Sequence, residues 1–428
     1  MPASIKAPRP KSTINAVRTK YWNVRNLLAE LIRLFRHDNL AFLKLVTGNF
    51  ILYATSSLRP VKDETPPRIQ AATSWVLHAQ RATPDDGVSL GYFPCRRDAS
   101  PWQPSYPETT GYIITTLLTC AERFNDTRMR EKALDMARWE IAIQMPSGAV
   151  QGGPVCSAER QTPAAFNTGM VLDGWCSAYS ATNDRAFFEA ARRAADFLVA
   201  DIDDAGYFRT NGNYVSADEV KTYTCLCAWA VYRFGEMSAK SSYKQAAIKI
   251  IEAATRQQQP NGWFAHNCLT QSSAPLTHTI GYTLQGMLEV GILAQRQDFI
   301  EAVEKCVKQL ITKINRQGLL AGRYDAEWKP AVRSSCLTGN AQIAIVCYRL
   351  YEITGLSQYK EAANTLVNTL KALQTINSSS QPFNGAVAGS FPIFGGYMRG
   401  GYPNWATKYF IDALLLQHEF NIKNNNAL

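Results

Sequence analysis

The chain has 428 residues, of which 46% are hydrophobic and 19% are charged. This composition excludes an intrinsically disordered protein and predicts one large folded core or two to three ordinary domains. The 45 Lys and Arg residues outnumber the 35 Asp and Glu residues, and the net charge of +10 favours an anionic partner: a nucleic acid, an acidic glycan or a membrane surface.

Ten cysteines are spread along the chain, and their spacing matches no metal site. The close pair Cys225 and Cys227 lacks a matching second pair or a histidine cluster. Most of the others lie in apolar helical patterns, so we interpret them as buried free thiols. We therefore predict no metal and no cofactor. With no secretory signal, a reducing cytoplasmic compartment is favoured, with a peripheral position at the inner membrane as an alternative.

Residues 1–36 are basic, with eight Lys or Arg and one acid, Glu30. Apolar residues recur there at helical spacing, at Val17, Tyr21, Val24, Leu28, Leu31 and Phe35. The apolar stretch that follows, 40–53, is too short and too polar for a membrane span. We predict a basic amphipathic helical extension and a linker over residues 1–66. It either packs on the main domain or docks on an anionic membrane or a membrane-bound assembly.

Internal repeats dominate the rest of the chain. Six apolar segments of helical period begin near residues 108, 166, 221, 278, 337 and 404. Amphipathic, more charged helices alternate with them over 68–81, 127–144, 184–201, 241–258, 297–314 and 358–375. A glycine suited to a helix end follows each of these. The pattern predicts an all-α (α/α)6 toroid of six helical hairpins over residues 67–420, followed by a polar tail over 421–428.

The loops that lead into the inner helices of such a ring converge on one end. Free N–H groups and positive helix dipoles there favour a polar or anionic ligand. Hairpins one and four oppose each other, so Glu108 and Tyr112 are expected across from His278 and Tyr282. This is an acid–base set. Alternatively, Glu108 only stabilises the first helical turn, and His278 is a neutral residue bonded to the backbone.

Longer loops add further candidates at the same end. Asp325 or Glu327 would be the second carboxylate of a glycosidase pair, with a solvated loop as the alternative. Aromatic faces would stack on sugar rings, and the Gly-rich loop 395–402 is a lid candidate. The predicted substrate-binding residues are Trp102, Arg160, Asn167, Lys221, Trp263, Arg323, Tyr324, Glu327, Trp328, Tyr402, Asn404 and Lys408.

Several blocks, among them PSYPETTGYIITTLL, FNTGMVLDGW and YPNWATKYFIDALLL, resemble the VpsJ-like proteins of bacterial exopolysaccharide gene clusters. That family belongs to the six-hairpin glycosidase-like superfamily. The resemblance covers about residues 68–420 and leaves the basic extension outside. It implies a role in making or trimming an exopolysaccharide, and it supplies no catalytic residue set.

Three functions remain open. The first is hydrolysis of an anionic exopolysaccharide, or of its lipid-linked precursor, with Glu108 as general acid. The second is elimination or C5 epimerisation of a uronate by His278 and the tyrosines Tyr112, Tyr282, Tyr324 and Tyr402, and the third is a non-catalytic glycan-binding or scaffold role. A terpenoid cyclase is suggested by the acidic run 201–204, but this run follows an outer helix, away from the inner-helix starts. We predict a glycan partner and no nucleic acid.

Overall fold

The computed structural model describes residues 40–62, 64–96, 100–212, 220–269, 271–376 and 382–425. A separate helix, α1 (Leu40–Ala54), precedes six helical hairpins. The outer helices are α2 (Thr65–Arg81), α4 (Thr127–Ile143), α6 (Arg185–Ala200), α8 (Ser241–Thr255), α10 (Gln297–Ile311) and α12 (Ser357–Leu373). The inner helices are α3 (Pro107–Phe124), α5 (Ala165–Thr182), α7 (Cys225–Met237), α9 (Thr277–Leu293), α11 (Leu337–Thr354) and α13 (Asn404–Asn425).

The inner helices form a closed ring. Each inner helix packs against the next, and α13 packs against α3. Inner helices are buried nearly all round, as in α9, where every residue from Thr277 to Gly291 is buried. Outer helices bury one face, as in α10, whose buried residues are Phe299, Ala302, Val303, Cys306, Val307 and Leu310. The prediction of an all-α (α/α)6 toroid is confirmed.

Four glutamines tie neighbouring outer helices together. Each Nε2 donates to a backbone carbonyl on the next outer helix, in the pairs Gln80–Lys132 (3.4 Å), Gln144–Ala190 (3.1 Å), Gln258–Ala302 (2.7 Å) and Gln374–Arg68 (3.0 Å). The last pair joins α12 to α2 and so closes the outer ring. Each amide also donates to a carbonyl of the turn after its own helix, at Asp86, Gly148, Gly262 and Gly385.

Two glycines allow inner helices to approach closely. A Cβ atom on Gly111 would lie 2.6 Å from the Cα of Val171, at the contact between α3 and α5. A Cβ atom on Gly339 would lie 2.6 Å from the backbone nitrogen of His278, at the contact between α11 and α9. Neither position has room for a side chain, so glycine sets the spacing of these helices.

Two pairs of short antiparallel strands join the loops at one end of the ring. Strand β1 (Gly91–Tyr92) pairs with β4 (Tyr402–Pro403), and β2 (Ser335–Cys336) pairs with β3 (Ser390–Phe391). All four strands lie in segments that lead into the inner helices α3, α11 and α13. We call this end of the ring, where the inner helices begin, the mouth.

Helix α1 packs on loops of the last hairpin. The buried ring of Phe42 lies 5.8 Å from that of Phe383 and 6.4 Å from that of Tyr402. Its opposite side exposes large apolar residues, Leu40, Phe50 and Ile51. The helix predicted over residues 17–35 lies outside the described residues. Within the described ranges, no helix has the length and apolar character needed to cross a membrane.

The boundaries differ by a few residues from those predicted. Helix α2 begins at Thr65, ahead of the predicted domain start at 67, and α13 continues to Asn425, beyond the predicted barrel end at 420. A polar helix end can extend into solvent without changing the buried pattern, which explains the later end. Nine of the ten cysteines are buried, and Cys156 is half-buried.

Candidate active site

A cavity of about 280 Å³ opens at the mouth, and we call it the central cavity. Glu108, at the start of α3, and His278, at the start of α9, both line it. Most of its wall is apolar or aromatic, with Leu90, Tyr106, Phe166, Tyr223, Leu269, Leu276, Tyr282, Tyr397, Met398 and Trp405. A concave, mainly apolar pocket with a few polar groups is typical of a small-molecule site.

Glu108 is held as a carboxyl group that can carry a proton near neutral pH. The hydroxyl group of Tyr106 donates a hydrogen bond to its Oε2 at 2.8 Å. The side chain keeps partial contact with solvent through the cavity, while protein surrounds it on the other sides. Burial raises the pKa of Glu108 to about 7, and the hydrogen bond from Tyr106 opposes part of that rise. This is the protonation range that suits a general acid.

His278 is held in the neutral form. Its Nδ1 lies 2.7 Å from Oε1 of Gln342, an acceptor, so this amide orientation puts the ring proton on Nδ1 and leaves Nε2 as a proton acceptor. Burial lowers the pKa of His278 to about 4, which the hydrogen bond to Gln342 partly opposes. The imidazole ring also packs 4.3 Å from the ring of Tyr282 and 5.6 Å from that of Tyr397.

A layer of tyrosines lies deeper in the ring. The hydroxyl groups of Tyr112 and Tyr282 are buried and near each other, but neither forms a hydrogen bond of normal geometry. The ring of Tyr409 packs 5.6 Å from that of Tyr112 and 6.0 Å from that of Tyr282. Burial raises the pKa of all three hydroxyl groups well above the usual value, so they stay protonated.

Lys408 lies beside this tyrosine layer. Its Nζ forms an ion pair with Oδ2 of Asp412 at 2.7 Å and lies 4.0 Å from the ring centre of Tyr409. Lys408, Tyr112 and Gln285 line a second cavity of about 20 Å³, which is room for one water molecule. The positive charge of Lys408 is therefore balanced within α13, beneath the central cavity.

Four of the predicted site residues line the central cavity: Glu108, Asn167, His278 and Tyr282. Tyr112 and Lys408 lie beneath it. Asn167 turns its Nδ2 to the carbonyl of Gln151, at 3.0 Å. The repeat phase thus brings the opposing hairpins one and four to one cavity.

Asp325 and Glu327, the predicted partners of Glu108, are not brought into this cavity. Oδ1 of Asp325 accepts hydrogen bonds from the backbone nitrogens of Glu327 (3.1 Å) and Lys329 (2.8 Å). Its carboxylate therefore stabilises its own turn, and the side chain of Glu327 is exposed. Among the described lining residues, Glu108 supplies the single carboxyl group.

The remaining predicted binding residues make internal contacts outside the cavity lining. Five of them donate hydrogen bonds to backbone carbonyls, in the pairs Lys221–Cys268, Arg323–Ala274, Asn404–Ser89, Trp263–Tyr324 and Trp328–Asn261. Three others pack against aromatic rings, in the pairs Tyr324–Trp328, Trp102–Trp75 and Tyr402–Phe383. Arg160 is exposed and donates to the hydroxyl group of Ser157. Their residue types suit sugar binding, but packing and backbone bonding use the same groups.

The cavity is also lined by Phe166, which the sequence did not assign to the site, and by Trp405, one of the aromatic residues expected to stack on sugar rings. Phe166 lies three residues before Gly169, as Glu108 and His278 lie three residues before Gly111 and Gly281, so the repeat phase could have identified it. Trp405 donates its Nε1–H to the hydroxyl group of Tyr397 at 2.9 Å. This bond holds the predicted lid loop, which contributes Tyr397 and Met398, at the cavity.

The acidic run at the end of α6 serves its own turn. The carboxylate of Asp201 accepts from the backbone nitrogen of Thr210 at 2.9 Å and from its hydroxyl group at 2.5 Å. Oδ1 of Asp203 accepts from the backbone nitrogen of Tyr207 at 2.8 Å. These carboxylates lie at an outer-helix end and are occupied by local hydrogen bonds, unlike an acid placed in a cyclase cavity. In the described part of the chain, no group of three or more His, Cys, Asp or Glu is arranged to hold a metal ion.

Comparisons with known proteins identify the fold. Neither a family model nor a curated protein sequence matches the chain. The chain is similar to the unsaturated glucuronyl hydrolase of Bacillus sp. GL1, responsible for the degradation of glycosaminoglycan. The TM-score is 0.66 and the identity 14%, over 82% of this chain and 96% of that one.

Two further solved structures are similar. A variant of unsaturated glucuronyl hydrolase from Streptococcus agalactiae, complexed with dGlcA-GalNAc6S, gives a TM-score of 0.63 and 12% identity over 84% of this chain and 92% of that one. An alpha-amylase from Clostridium perfringens gives a TM-score of 0.60 and 9% identity over 82% and 97%. At these identities the likeness concerns the fold: the chain has the helical six-hairpin toroid architecture of these proteins.

Proposed function

We propose that this chain is a glycoside hydrolase-type enzyme in which Glu108 is the general acid. One observation carries the proposal: a carboxyl group with a pKa of about 7 faces an aromatic cavity at the mouth of the ring. A protonated Glu108 would donate its proton to the glycosidic oxygen while the bond from that oxygen to the anomeric carbon breaks. The aromatic walls would stack on the apolar faces of the sugar.

His278 is the group that would activate the attacking water. Its neutral Nε2 can accept a proton from water as the oxygen bonds to the anomeric carbon. A histidine in place of the second carboxylate is consistent with the single carboxyl group among the described lining residues. The displaced sugar leaves with the proton of Glu108, and proton transfer through solvent restores both groups.

The polymer that we propose is an anionic exopolysaccharide. The net charge of +10 supports attraction to an acidic polymer. The similar structures include an enzyme responsible for degrading glycosaminoglycan, an acidic glycan. The resemblance to VpsJ-like proteins supports an exopolysaccharide rather than a host glycan, with a role in biosynthesis or trimming.

Elimination or epimerisation of a uronate is a second candidate. The observation that favours it is the neutral His278 beside the protonated hydroxyl group of Tyr282. Such a pair would remove a proton next to a carboxylate and return one to the leaving oxygen or to the opposite face of the sugar. The carboxyl group of Glu108 would then act on the substrate only through its charge.

One experiment separates these reactions. The full-length protein is incubated with the exopolysaccharide of its own organism, in ordinary and deuterated water. Hydrolysis yields new reducing ends, elimination yields ultraviolet-absorbing products, and epimerisation incorporates deuterium at C5. We expect the wild-type protein to produce new reducing ends. Glu108→Gln should abolish them, whereas Glu327→Gln, the control at an exposed position, should still produce them. Binding of the glycan without any of the three products would reject the enzyme proposal.

We further propose that the basic extension brings the protein to an anionic membrane surface from the cytoplasm. Support comes from the outward Leu40, Phe50 and Ile51 on α1, which follow the basic segment 1–36. The pair of substitutions Phe50→Ser and Ile51→Ser should reduce sedimentation with vesicles that contain phosphatidylglycerol. The exposed control Leu356→Ser should not. Equal sedimentation of both variants would reject this proposal.

A further inference from the structure

We infer that the central cavity takes a neutral sugar unit with an apolar substituent, such as the methyl group of a deoxy sugar or of an O-acyl group, at the end of a glycan chain. The inference rests on the proposed function only for the assumption that the ligand is a glycan. It names the unit bound beside Glu108 and excludes a uronate from that position. The rest of the polymer, outside the cavity, can still be anionic.

The first observation is the charge of the cavity wall. Among the described residues, no Lys or Arg lines the cavity. A buried carboxylate needs a cation or several hydrogen-bond donors to offset its desolvation. The described wall offers no such cation to a uronate.

The basic residues predicted to bind substrate are engaged elsewhere. Lys408 forms its ion pair with Asp412 beside the tyrosine layer. Nη1 of Arg323 donates to the backbone carbonyl of Ala274 at 2.7 Å, and Nζ of Lys221 donates to that of Cys268 at 2.7 Å. Reaching a ligand would require these side chains to leave bonds that satisfy buried or half-buried carbonyl groups.

Glu108 itself disfavours a second carboxylate. A uronate bound beside it would bring two like charges together whenever Glu108 is ionised. A neutral sugar places no charge beside Glu108, so Glu108 can still hold the proton that acid catalysis requires. A sugar without a charge is therefore compatible with both the wall and the proposed acid.

The apolar part of the wall suggests the substituent. Leu90, Leu276 and Met398 line the cavity together with the aromatic rings of Phe166 and Trp405. Burying a methyl group against such a surface is favourable, whereas a hydroxyl group would lack partners there. The volume of about 280 Å³ lies just below the roughly 300 Å³ at which ligand pockets usually begin, so it suits one sugar unit rather than an extended chain.

The test measures binding and does not depend on turnover. Methyl rhamnoside, methyl glucoside and methyl glucuronide, each as both anomers, are titrated into the full-length protein at pH 7 while tryptophan fluorescence is recorded. Trp405→Phe identifies the part of the signal that comes from the cavity. We expect the rhamnoside to bind at least tenfold more tightly than the glucuronide, with the glucoside between them. Equal or tighter binding of the glucuronide, or no response from Trp405 to any glycoside, would overturn the inference.

A charge-introducing variant sharpens the test. Leu269 lines the cavity and is 40% exposed, so an arginine there can be accommodated. We expect Leu269→Arg to tighten glucuronide binding at least fivefold, and the uncharged control Leu269→Met to leave the preference unchanged. An unaltered preference in Leu269→Arg would also count against the inference. If the binding order holds but no glycan is cleaved, the proposed function fails alone; if uronate-ended chains are cleaved preferentially, the inference fails alone.

Discussion

Tyr106 donates a hydrogen bond from its hydroxyl group to Oε2 of Glu108 at 2.8 Å, from a position only two residues earlier in the chain. This bond favours the ionised carboxylate, whereas burial favours the protonated acid and has the larger effect on the pKa. The balance between the two sets the pH at which Glu108 loses its proton.

The pH profile of activity should follow this balance. If protonated Glu108 is the acid, activity falls as the pH rises through about 7. Tyr106→Phe removes the bond that favours ionisation, so the alkaline limb of kcat/KM should move to higher pH. Glu108→Gln should lower kcat/KM by about 10²- to 10⁴-fold below pH 7, with a smaller deficit at higher pH, where Glu108 itself is ionised. If the alkaline limb of kcat/KM lies at the same pH in Tyr106→Phe as in the wild type, the limb reports the ionisation of a group other than Glu108.

Gly339 should matter for catalysis because of its position against His278. A methyl group at residue 339 would lie 2.6 Å from the backbone nitrogen of His278, so Gly339→Ala must displace the start of α9. We expect a loss of about 1–3 kcal/mol in the free energy of unfolding and a fall in kcat larger than the change in KM. Gly48→Ala on α1, where no atom lies within 4 Å, is the matched control. Unchanged kcat in a folded Gly339→Ala protein would contradict a catalytic role for His278.

Glu140 should make the stability depend on pH. It is fully buried on α4, and neither carboxylate oxygen has a hydrogen-bond partner. Burial raises its pKa well above the usual value, with a further rise from nearby Asp85. The folded state therefore binds this proton more tightly than the unfolded state does, and the resulting stability is lost as the pH rises above about 4.5.

Replacing Glu140 should remove that loss. We expect Glu140→Gln to raise the free energy of unfolding more at pH 8 than at pH 5, because glutamine does not ionise. Urea unfolding at several pH values measures the effect, with the exposed Glu301→Gln as control. A destabilised Glu140→Gln protein at pH 8 would mean that the carboxylate has a bonding partner, such as an ordered water.

One substitution should weaken the outer ring at the contact between α12 and α2. Nε2 of Gln374 donates to the carbonyls of Arg68 and Gly385, at 3.0 Å and 2.9 Å. Gln374→Leu loses both bonds, and we expect a loss of about 1–3 kcal/mol in the free energy of unfolding. Gln297→Leu, at an exposed position, should have little effect. Equal stability of the two variants would show that this contact does not hold α12 to α2.

Much of the fold could be predicted because it repeats. Six inner segments with apolar residues on every side can be buried only inside a ring of other helices, and the observed helices begin within a few residues of the predicted ones. Gly111 and Gly339 occupy equivalent positions near the starts of the first and fifth inner segments, which the sequence shows. Their physical role, a close contact between adjacent inner helices, required the neighbours Val171 and His278.

The candidate site could be predicted from the sequence only in part. The repeat phase alone predicted that Glu108 and His278 face one space, because position within a hairpin fixes position in the ring. Asp325 illustrates the limit: its type and loop suited a catalytic carboxylate, but backbone nitrogens of its own turn hold it. Local sequence does not reveal which polar group satisfies which buried partner.

The sequence by itself determined the ring, its mouth and the residues that begin each inner helix, since hydrophobic period and repeat length constrain these directly. Only the tertiary structure decided which polar side chains remain available to a ligand. Internal partners bind the side chains of Lys408, Arg323 and Lys221, whereas Glu108 faces the cavity and has a raised pKa. The reason is physical: burial and hydrogen-bond pairing depend on residues far apart in the chain, and they decide both the charge of a side chain and its freedom to act.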